Sequence, residues 1–309
     1  EAKTLKADLP SLRAIPFYNA GPLPVRVIEE LALKHMDGRE IKIRAIKPEG
    51  KTEPAALIVF SHGNFSDSDK YDNLLLHWAS HGYVVIAPTH SDGVNMMRGI
   101  FNTLRYGQLG LIKNRIDDIH LILDSLPALQ QEIGVEVNRD QIAVAGHSFG
   151  AFTAQQMIGA DAFDKNTTVT GIDNRVKAVL AVSPPGPMFE SITENSWDKL
   201  DKPMMVSTGT WDIEPRFFPE WQLHKMSYDK SAQEDSYAVV FEGVDHYFGN
   251  LICRPLRKKE PQRDALQLLG AYSSLFFAAY VTDDKHSLAY LKSNKIPDVA
   301  GDFIHWHSR

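Results

Sequence analysis

The chain has 309 residues, of which 43% are hydrophobic and 23% are charged, a composition typical of globular proteins. Its net charge of −6 is spread along the sequence, which argues against a nucleic-acid partner. Cys253 is the single cysteine, which excludes an intramolecular disulfide and a thiolate metal cluster. The most apolar stretch, 268–281, is too short to cross a bilayer, so no membrane span is expected.

Two features of the sequence bear on its surroundings. The chain begins at Glu1, and a removed signal peptide or a truncated chain would each explain the missing initiator methionine. We expect a secreted or periplasmic location rather than a cytoplasmic one. A cluster of four basic residues is interpreted as a solvated loop, with a phosphate or lipid-headgroup contact as the alternative; it consists of Arg254, Arg257, Lys258 and Lys259.

The predicted elements begin with two stretches that alternate in polarity, 25–33 and 39–47, and predict an antiparallel hairpin at a sheet edge. Continuous apolar runs follow, as is typical of strands covered on both faces by helices. These runs are 57–60, 83–87, 142–145, 176–182, 204–206 and 237–241. Helices are predicted over 72–81, 114–126, 149–158 and 262–281.

A hairpin followed by repeated strand–helix units predicts an α/β fold with a mainly parallel sheet between helices. No repeat or linker divides the sequence. We therefore expect one domain over 1–309, with a catalytic core at about 25–282 and terminal extensions packed on it.

Ser148 lies in the run Gly146-His147-Ser148-Phe149-Gly150, between a predicted strand and a predicted helix. A serine in such a G-x-S-x-G turn has a strained backbone that exposes its hydroxyl at the edge of the sheet. Glycines on both sides allow neighbouring backbone to pass close by. The setting predicts a nucleophile, and in this arrangement an acid and then a histidine are expected further along the chain.

The last two apolar runs each lead into a loop, and these loops contain Asp212 and His246. Both loops follow the carboxyl ends of predicted strands, at the same edge as Ser148. We therefore expect Ser148 as nucleophile, His246 as base and Asp212 as the acid that orients the base. Glu214 is the alternative carboxylate, and Asp245 is expected to be structural.

An oxyanion hole requires two backbone N–H groups near the nucleophile. The N–H of Phe149 begins the helix after Ser148, and the N–H of Asn64, in the loop after the first central strand, is the expected second donor. His62 is expected to support that loop. Apolar side chains near this edge are candidates for an acyl or aryl pocket, although some should belong to the core: Phe65, Phe149, Met188, Phe189, Trp211, Phe217 and Phe218.

Taken together, these motifs resemble the α/β-hydrolase superfamily, and within it the predicted dienelactone hydrolases and platelet-activating-factor acetylhydrolases, which are related to cutinase-like polyester hydrolases. The resemblance extends over about residues 40–250, and its pieces are Phe60–Gly63, Ala79–Pro88, Ala145–Gly150 and Gly243–His246. It implies a cofactor-free serine ester hydrolase with the triad and oxyanion donors given above, and no metal. Dienelactone hydrolases have a cysteine nucleophile, so the serine removes any implication of a lactone substrate.

The sequence thus predicts hydrolysis of a small-molecule or polymeric ester through an acyl-enzyme on Ser148. Short to medium acyl or aryl esters are favoured, because residues 184–202 leave room for a small flap and not for a lipase lid. An amidase, a lipid- or polyester-specific hydrolase and a non-catalytic binding protein of this fold stay open as alternatives.

Overall fold

The computed structural model describes residues 9–309. Its strands, in chain order, are β1 (Val25–Lys34), β2 (Glu40–Pro48), β3 (Ala55–Ser61), β4 (Val84–Pro88), β5 (Val137–His147), β6 (Ala162–Asp164), β7 (Thr167–Val169), β8 (Ala178–Val182), β9 (Met204–Trp211), β10 (Ser236–Asp245) and β11 (Ile304–Ser308). Strands β6 and β7 form a small separate hairpin. The other nine form one sheet in the order β1-β2-β4-β3-β5-β8-β9-β10-β11.

The six strands from β4 to β10 in this order run parallel to one another. The β1–β2 hairpin joins β4 in the antiparallel sense at one side, and β11 joins β10 antiparallel at the other. Strands β3 and β4 are buried along their whole length, because helices cover both faces of the sheet. The predicted α/β class with a mainly parallel sheet and an N-terminal edge hairpin is confirmed.

Helices pack on both faces of the sheet. They are α1 (Leu9–Arg13), α2 (Asp72–Ser80), α3 (Met96–Asp124), α4 (Leu126–Ile133), α5 (Phe149–Gln156), α6 (Met226–Lys230), α7 (Arg263–Tyr280), α8 (Lys285–Lys292) and α9 (Lys295–Ala300), with a 3-10 helix at Trp221–Lys225. Helices α2 and α7 enclose one core, whereas α3, α4 and α5 enclose the other. Within residues 9–309, no helix combines the length and the apolar character needed to cross a membrane.

The structure adds α4, the β6–β7 hairpin and the helical turns at Trp221–Lys225 and Met226–Lys230 to the predicted elements, and two further regions differ more. Helix α3 begins at Met96 and not at 114, and it is interrupted at Gly107, whose φ of 72° and ψ of 171° are open to glycine. Residues after the predicted last helix add α8, α9 and the edge strand β11. The predicted N-terminal extension is described only from residue 9, where α1 begins; residues 1–8 lie outside the described part.

Candidate active site

Ser148 lies at the turn between β5 and α5, with φ 55° and ψ −122°. A residue with a Cβ is strained in this conformation. A Cβ on Gly150 would lie 2.0 Å from the carbonyl oxygen of Ser61, and one on Gly146 would lie 2.1 Å from that of Gly150. Both positions therefore require glycine. The turn can form because residues 146 and 150 are both glycines.

His246 follows β10, and Asp212 follows β9. The Nε2 atom of His246 lies 2.9 Å from Ser148 Oγ, and its Nδ1 lies 2.7 Å from Asp212 Oδ1. A carboxylate at Nδ1 fixes the proton there, so Nε2 accepts from the serine hydroxyl. Thr208 donates to the other oxygen of Asp212 at 2.8 Å. Glu214, the alternative carboxylate, instead accepts from the N–H of Arg216.

A second imidazole, from His224 in the 3-10 helix, lies against Asp212. Its Nδ1 is 2.9 Å from the carbonyl oxygen of Pro184, and because a carbonyl only accepts, Nδ1 carries a proton. Its Nε2 lies 3.1 Å from Asp212 Oδ1, at ion-pair distance but without hydrogen-bond alignment. If the ring were neutral, Nε2 would place its lone pair against the negatively charged carboxylate of Asp212. The geometry therefore favours a doubly protonated, cationic imidazolium.

The charges of this cluster act on one another. Burial raises the pKa of Asp212, but the adjacent His224 and His246 outweigh burial and hold that pKa well below its ordinary value. Burial lowers the pKa of His224, and the Asp212 carboxylate more than compensates, so that the pKa of His224 is raised. Asp212 is therefore ionised between two imidazoles. Sequence reasoning missed His224, because a histidine in a turn-rich stretch carries no motif.

The side chains of Asp212, His224 and His246 are of types that can bind a metal ion. Their ligand atoms lie within 4.8 Å of one another, the one such group found in residues 9–309. Two ligands of one zinc ion, each at about 2.0–2.1 Å, are roughly 3.3 Å apart. The His246–Asp212 separation of 2.7 Å is shorter than that and belongs to a direct hydrogen bond. The cluster is arranged as an acid between two imidazoles and not as a metal centre.

The loop after β3 contains Asn64. The N–H of Gly63 donates to the Tyr71 hydroxyl at 2.9 Å, and the N–H of Phe65 donates to the Asp92 carbonyl at 3.2 Å. These bonds fix the backbone on both sides of Asn64. Phe149 is the first residue of α5, so its N–H has no acceptor within its own helix. The N–H of Asn64 thus lies in a loop held on both sides and that of Phe149 at a helix start; their role as oxyanion donors stays a prediction.

Arg115, from α3, is fully buried beneath this loop. It donates to the His62 carbonyl at 2.6 Å, and its guanidinium forms a two-pronged ion pair with Asp92 at 3.1 and 2.8 Å. The same guanidinium lies 4.6 Å from the ring centre of Phe149. Arg115 therefore connects the loop to the start of α5. This role could not be predicted from the sequence, since Arg115 lies within an ordinary amphipathic pattern.

Two neutral histidines complete the support. His62 donates from Nδ1 to the Gly63 carbonyl at 2.6 Å and accepts at Nε2 from the His90 N–H at 2.9 Å. His147 donates from Nε2 to the His246 carbonyl at 2.8 Å and accepts at Nδ1 from Tyr71 at 2.9 Å. Burial lowers the pKa of both rings well below the ordinary value. Both histidines hold backbone in place.

A second Ser–His–Asp set lies deeper in the molecule. Ser61 Oγ is 2.7 Å from His90 Nε2, and His90 Nδ1 is 2.8 Å from Asp118 Oδ2. All three residues are fully buried. Arg115 also donates to Ser61 Oγ at 3.1 Å. Burial raises the pKa of Asp118, yet contacts led by His35 and His90 lower it to about 2.

The candidate pocket residues fall into two groups. Phe189 stacks on Phe149 with ring centres 5.6 Å apart, and Phe218 lies 4.9 Å from the ring of His246. Phe189 and Phe218 are half-buried, so they offer apolar surface near the triad. Of the remaining candidates, Trp211 and Phe217 are exposed, and Met188 and Phe65 are half-buried.

Comparison with known proteins gives the family. A family model described as Chlorophyllase matches residues 17–184, more than half of the chain. No curated protein matches. Among solved structures, a ferulic acid esterase from Streptomyces cinnamoneus has a TM-score of 0.64 at 16% identity, over 88% of this chain and 93% of that one. This likeness shows the fold. The superfamily predicted from the sequence is confirmed, and the chain is a serine carboxylic ester hydrolase that belongs to the chlorophyllase family.

Proposed function

We propose that this enzyme cleaves esters through an acyl-enzyme on Ser148. The observation that carries the proposal is the unbroken path of hydrogen bonds from Ser148 Oγ to His246, at 2.9 Å, and from His246 to Asp212, at 2.7 Å. Asp212 holds the imidazole in the form that accepts a proton at Nε2. The strained backbone of Ser148 presents its hydroxyl at the turn, and Nε2 of His246 already lies within hydrogen-bond distance of that hydroxyl.

Each step moves one proton through His246. As Ser148 Oγ attacks the ester carbonyl carbon, His246 takes the hydroxyl proton, and the carbonyl oxygen becomes an oxyanion held by the N–H groups of Asn64 and Phe149. Collapse of this intermediate breaks the bond to the alcohol, which leaves with the proton from His246. Water then repeats the sequence on the acyl-enzyme, releases the carboxylic acid and restores the serine.

His224 acts in this proposal as a positioning residue. Its contact with Asp212 keeps the carboxylate ionised and restrains it from one side, while Thr208 restrains it from the other. The acid therefore has one orientation toward His246. The role supports the proton path without touching the reacting atoms.

The proposed substrates are esters with short to medium acyl or aryl groups. Phe189, half-buried and stacked on Phe149, and Phe218, half-buried beside His246, offer apolar ring surface near the triad. Aromatic groups pack well against such faces. The name of the structural neighbour, a ferulic acid esterase, agrees with an aryl acyl group, so methyl ferulate belongs among the first substrates to assay.

The acyl-enzyme is tested by rapid mixing with p-nitrophenyl butyrate. We expect a burst of p-nitrophenol equal to the enzyme concentration, and after an acid quench a butyryl group on the peptide that contains Ser148. The matched p-nitroanilide should turn over far more slowly, which separates an esterase from an amidase. Turnover by Ser148→Ala comparable with that of the natural sequence would contradict the proposal.

A further inference from the structure

Exposed apolar side chains are distributed unevenly over this protein. In the part of the chain that the structure describes, two of the large exposed ones, Met36 and Ile172, lie in other segments. The rest come from three segments that border the candidate site: Val94, Met96, Met97, Ile100, Phe101, Leu104, Trp211, Ile213, Phe217 and Leu256. Single exposed apolar residues are ordinary, but a contiguous group marks an interaction surface.

In the first half of α3, before the break at Gly107, the large apolar side chains face solvent instead of the core. Met97, Phe101 and Leu104 recur at helical spacing and are 83%, 64% and 82% exposed. The opposite face buries Gly99 and Asn102, and Asn102 donates to the Ser91 carbonyl at 2.6 Å. Beyond the break, the apolar residues of the same helix face the core. The fold therefore turns this apolar stripe outward.

This half-helix borders the candidate site directly. Gly99 packs so closely on Phe65, the neighbour of Asn64, that a Cβ there would lie 2.1 Å from the phenyl ring. At the far end, Gln108 accepts from Ser191, in the segment that carries Phe189, at 3.1 Å. A cavity of about 540 Å³ opens between the start of α3 and the loop around Leu256. The exposed stripe thus extends along the mouth of the site.

Two of these three segments, the start of α3 and the loop around Leu256, are cationic, although the whole chain has a net charge of −6. Residues 94–105, before the break in α3, contain Arg98 and Arg105 and no acidic residue, and residues 253–259 contain the basic cluster identified from the sequence. Arg254 of that cluster donates to the carbonyls of Asn64 and Phe65, which anchors the cluster beside the site. Lys258 and Lys259 are exposed.

We propose that this surface docks the enzyme on an anionic lipid surface. The apolar stripe of Met97, Phe101 and Leu104 enters the acyl region, and Arg105, Lys258 and Lys259 contact the headgroups. A lipid surface suits this patch better than a second copy of the chain, because two copies would bring like charges together. The inference that docking turns the mouth of the site toward the lipid rests on the proposed function, whereas the docking itself does not.

The test is flotation of the full chain with vesicles of phosphatidylcholine, alone or mixed with phosphatidylglycerol. We expect binding to the mixed vesicles that weakens as salt is added. The double variant Met97→Glu/Leu104→Glu should bind about a hundredfold more weakly, because two buried apolar side chains are lost. Met36→Glu/Ile172→Glu, with the same charge change elsewhere on the surface, should bind like the natural sequence. Hydrolysis of water-soluble p-nitrophenyl acetate should be the same in both double variants.

Several outcomes would overturn the docking. These are absence of binding by the natural sequence, equal binding to neutral and mixed vesicles, and equal loss in the two double variants. Self-association that the Met97→Glu/Leu104→Glu change abolishes, without vesicle binding, would assign the surface to a second copy instead. Ser148→Ala should float like the natural sequence, so a failure of the proposed chemistry is distinguishable from a failure of docking.

Discussion

The set Ser148–His246–Asp212, in which the serine is half-buried at the sheet edge, and the fully buried set Ser61–His90–Asp118 have nearly the same hydrogen-bond lengths. The serine–histidine distances are 2.9 and 2.7 Å, and the histidine–aspartate distances are 2.7 and 2.8 Å. Distance alone therefore does not distinguish a reactive serine from a structural one. Both sets meet the geometric description of a triad.

The backbone and the surroundings make the difference. Ser148 lies in a strained turn with φ 55°, half-buried at the start of a helix, whereas Ser61 ends an ordinary strand and is fully buried. The hydroxyl of Ser61 also accepts from Arg115, which lowers its value as a nucleophile. If Ser148 is the nucleophile, as proposed, access and nearby oxyanion donors are what distinguish its trio from the buried one. The buried trio serves the loop that presents Asn64.

The largest expected effect sharpens this comparison at the two serines. Ser148→Ala should lower kcat for a soluble ester by about 10⁵-fold or more, since the nucleophile is lost. Ser61→Ala should leave kcat close to that of the natural sequence but lower the free energy of unfolding by about 1–3 kcal/mol, because His90 and Arg115 lose a buried partner. Steady-state assays and denaturant unfolding measure the two quantities. A large kcat loss in a folded Ser61→Ala variant would break the distinction.

The two aspartates should differ in the same way. Asp212→Asn should lower kcat by about 10⁴-fold, because an amide fixes His246 in the wrong tautomer. Asp118→Asn should retain kcat but lose roughly 3–5 kcal/mol of unfolding free energy, because the fully buried His90 and the half-buried Arg39 lose their carboxylate partner. Equal kcat losses in both variants would contradict separate roles.

Asp118 also makes a pH prediction. Its pKa is lowered to about 2, so the stability that it contributes is fully present above its ordinary pKa of about 3.9 and disappears as the pH falls through about 2. The difference in unfolding free energy between the natural sequence and Asp118→Asn should shrink over that interval. If this difference in unfolding free energy stays constant between pH 5 and pH 2, the charge of the Asp118 carboxylate does not stabilise the fold.

A smaller effect on kcat is expected at His224, whose role was not predicted from the sequence. His224→Gln removes a cation from Asp212, so the pKa of that acid rises toward its ordinary value. We expect the acid limb of the kcat/KM profile to move to higher pH and kcat to fall about tenfold, with KM little changed. If His224 had a purely structural role, the variant would contain less active enzyme, and the acid limb of its kcat/KM profile would stay at the same pH.

The smallest effect concerns the stacked pair beside Ser148. Phe189→Ala should raise KM for methyl ferulate by about two- to tenfold, because an aromatic contact is lost. The KM for p-nitrophenyl acetate, whose acyl group is too small to reach the ring, serves as the control. Equal changes for both substrates would place Phe189 outside the acyl pocket.

The sequence predicted those parts of the molecule that follow from strand order. Continuous apolar runs identified the central strands, and the residues that follow them, among them Asp212 and His246, had to meet at one edge of a parallel sheet. The glycines around Ser148 signalled the turn because no other residue fits there. These inferences need only local pattern and topology.

Other features depend on contacts between distant segments and left no local trace. Arg115 and Asp118 lie in a helix whose sequence pattern is ordinary, yet they bind the loop after β3 and the residues after β4. The start of α3 was missed because its apolar residues face outward, against the rule by which helices are recognised. The edge strand β11 needs β10 as a partner before it can form.

The most direct measurement of the central claim is covalent labelling with a fluorophosphonate, followed by peptide mass spectrometry. We expect one phosphonyl group per chain on Ser148, full labelling of Ser61→Ala, and none of Ser148→Ala. Labelling on Ser61, or an unlabelled natural sequence that still hydrolyses esters, would contradict the account.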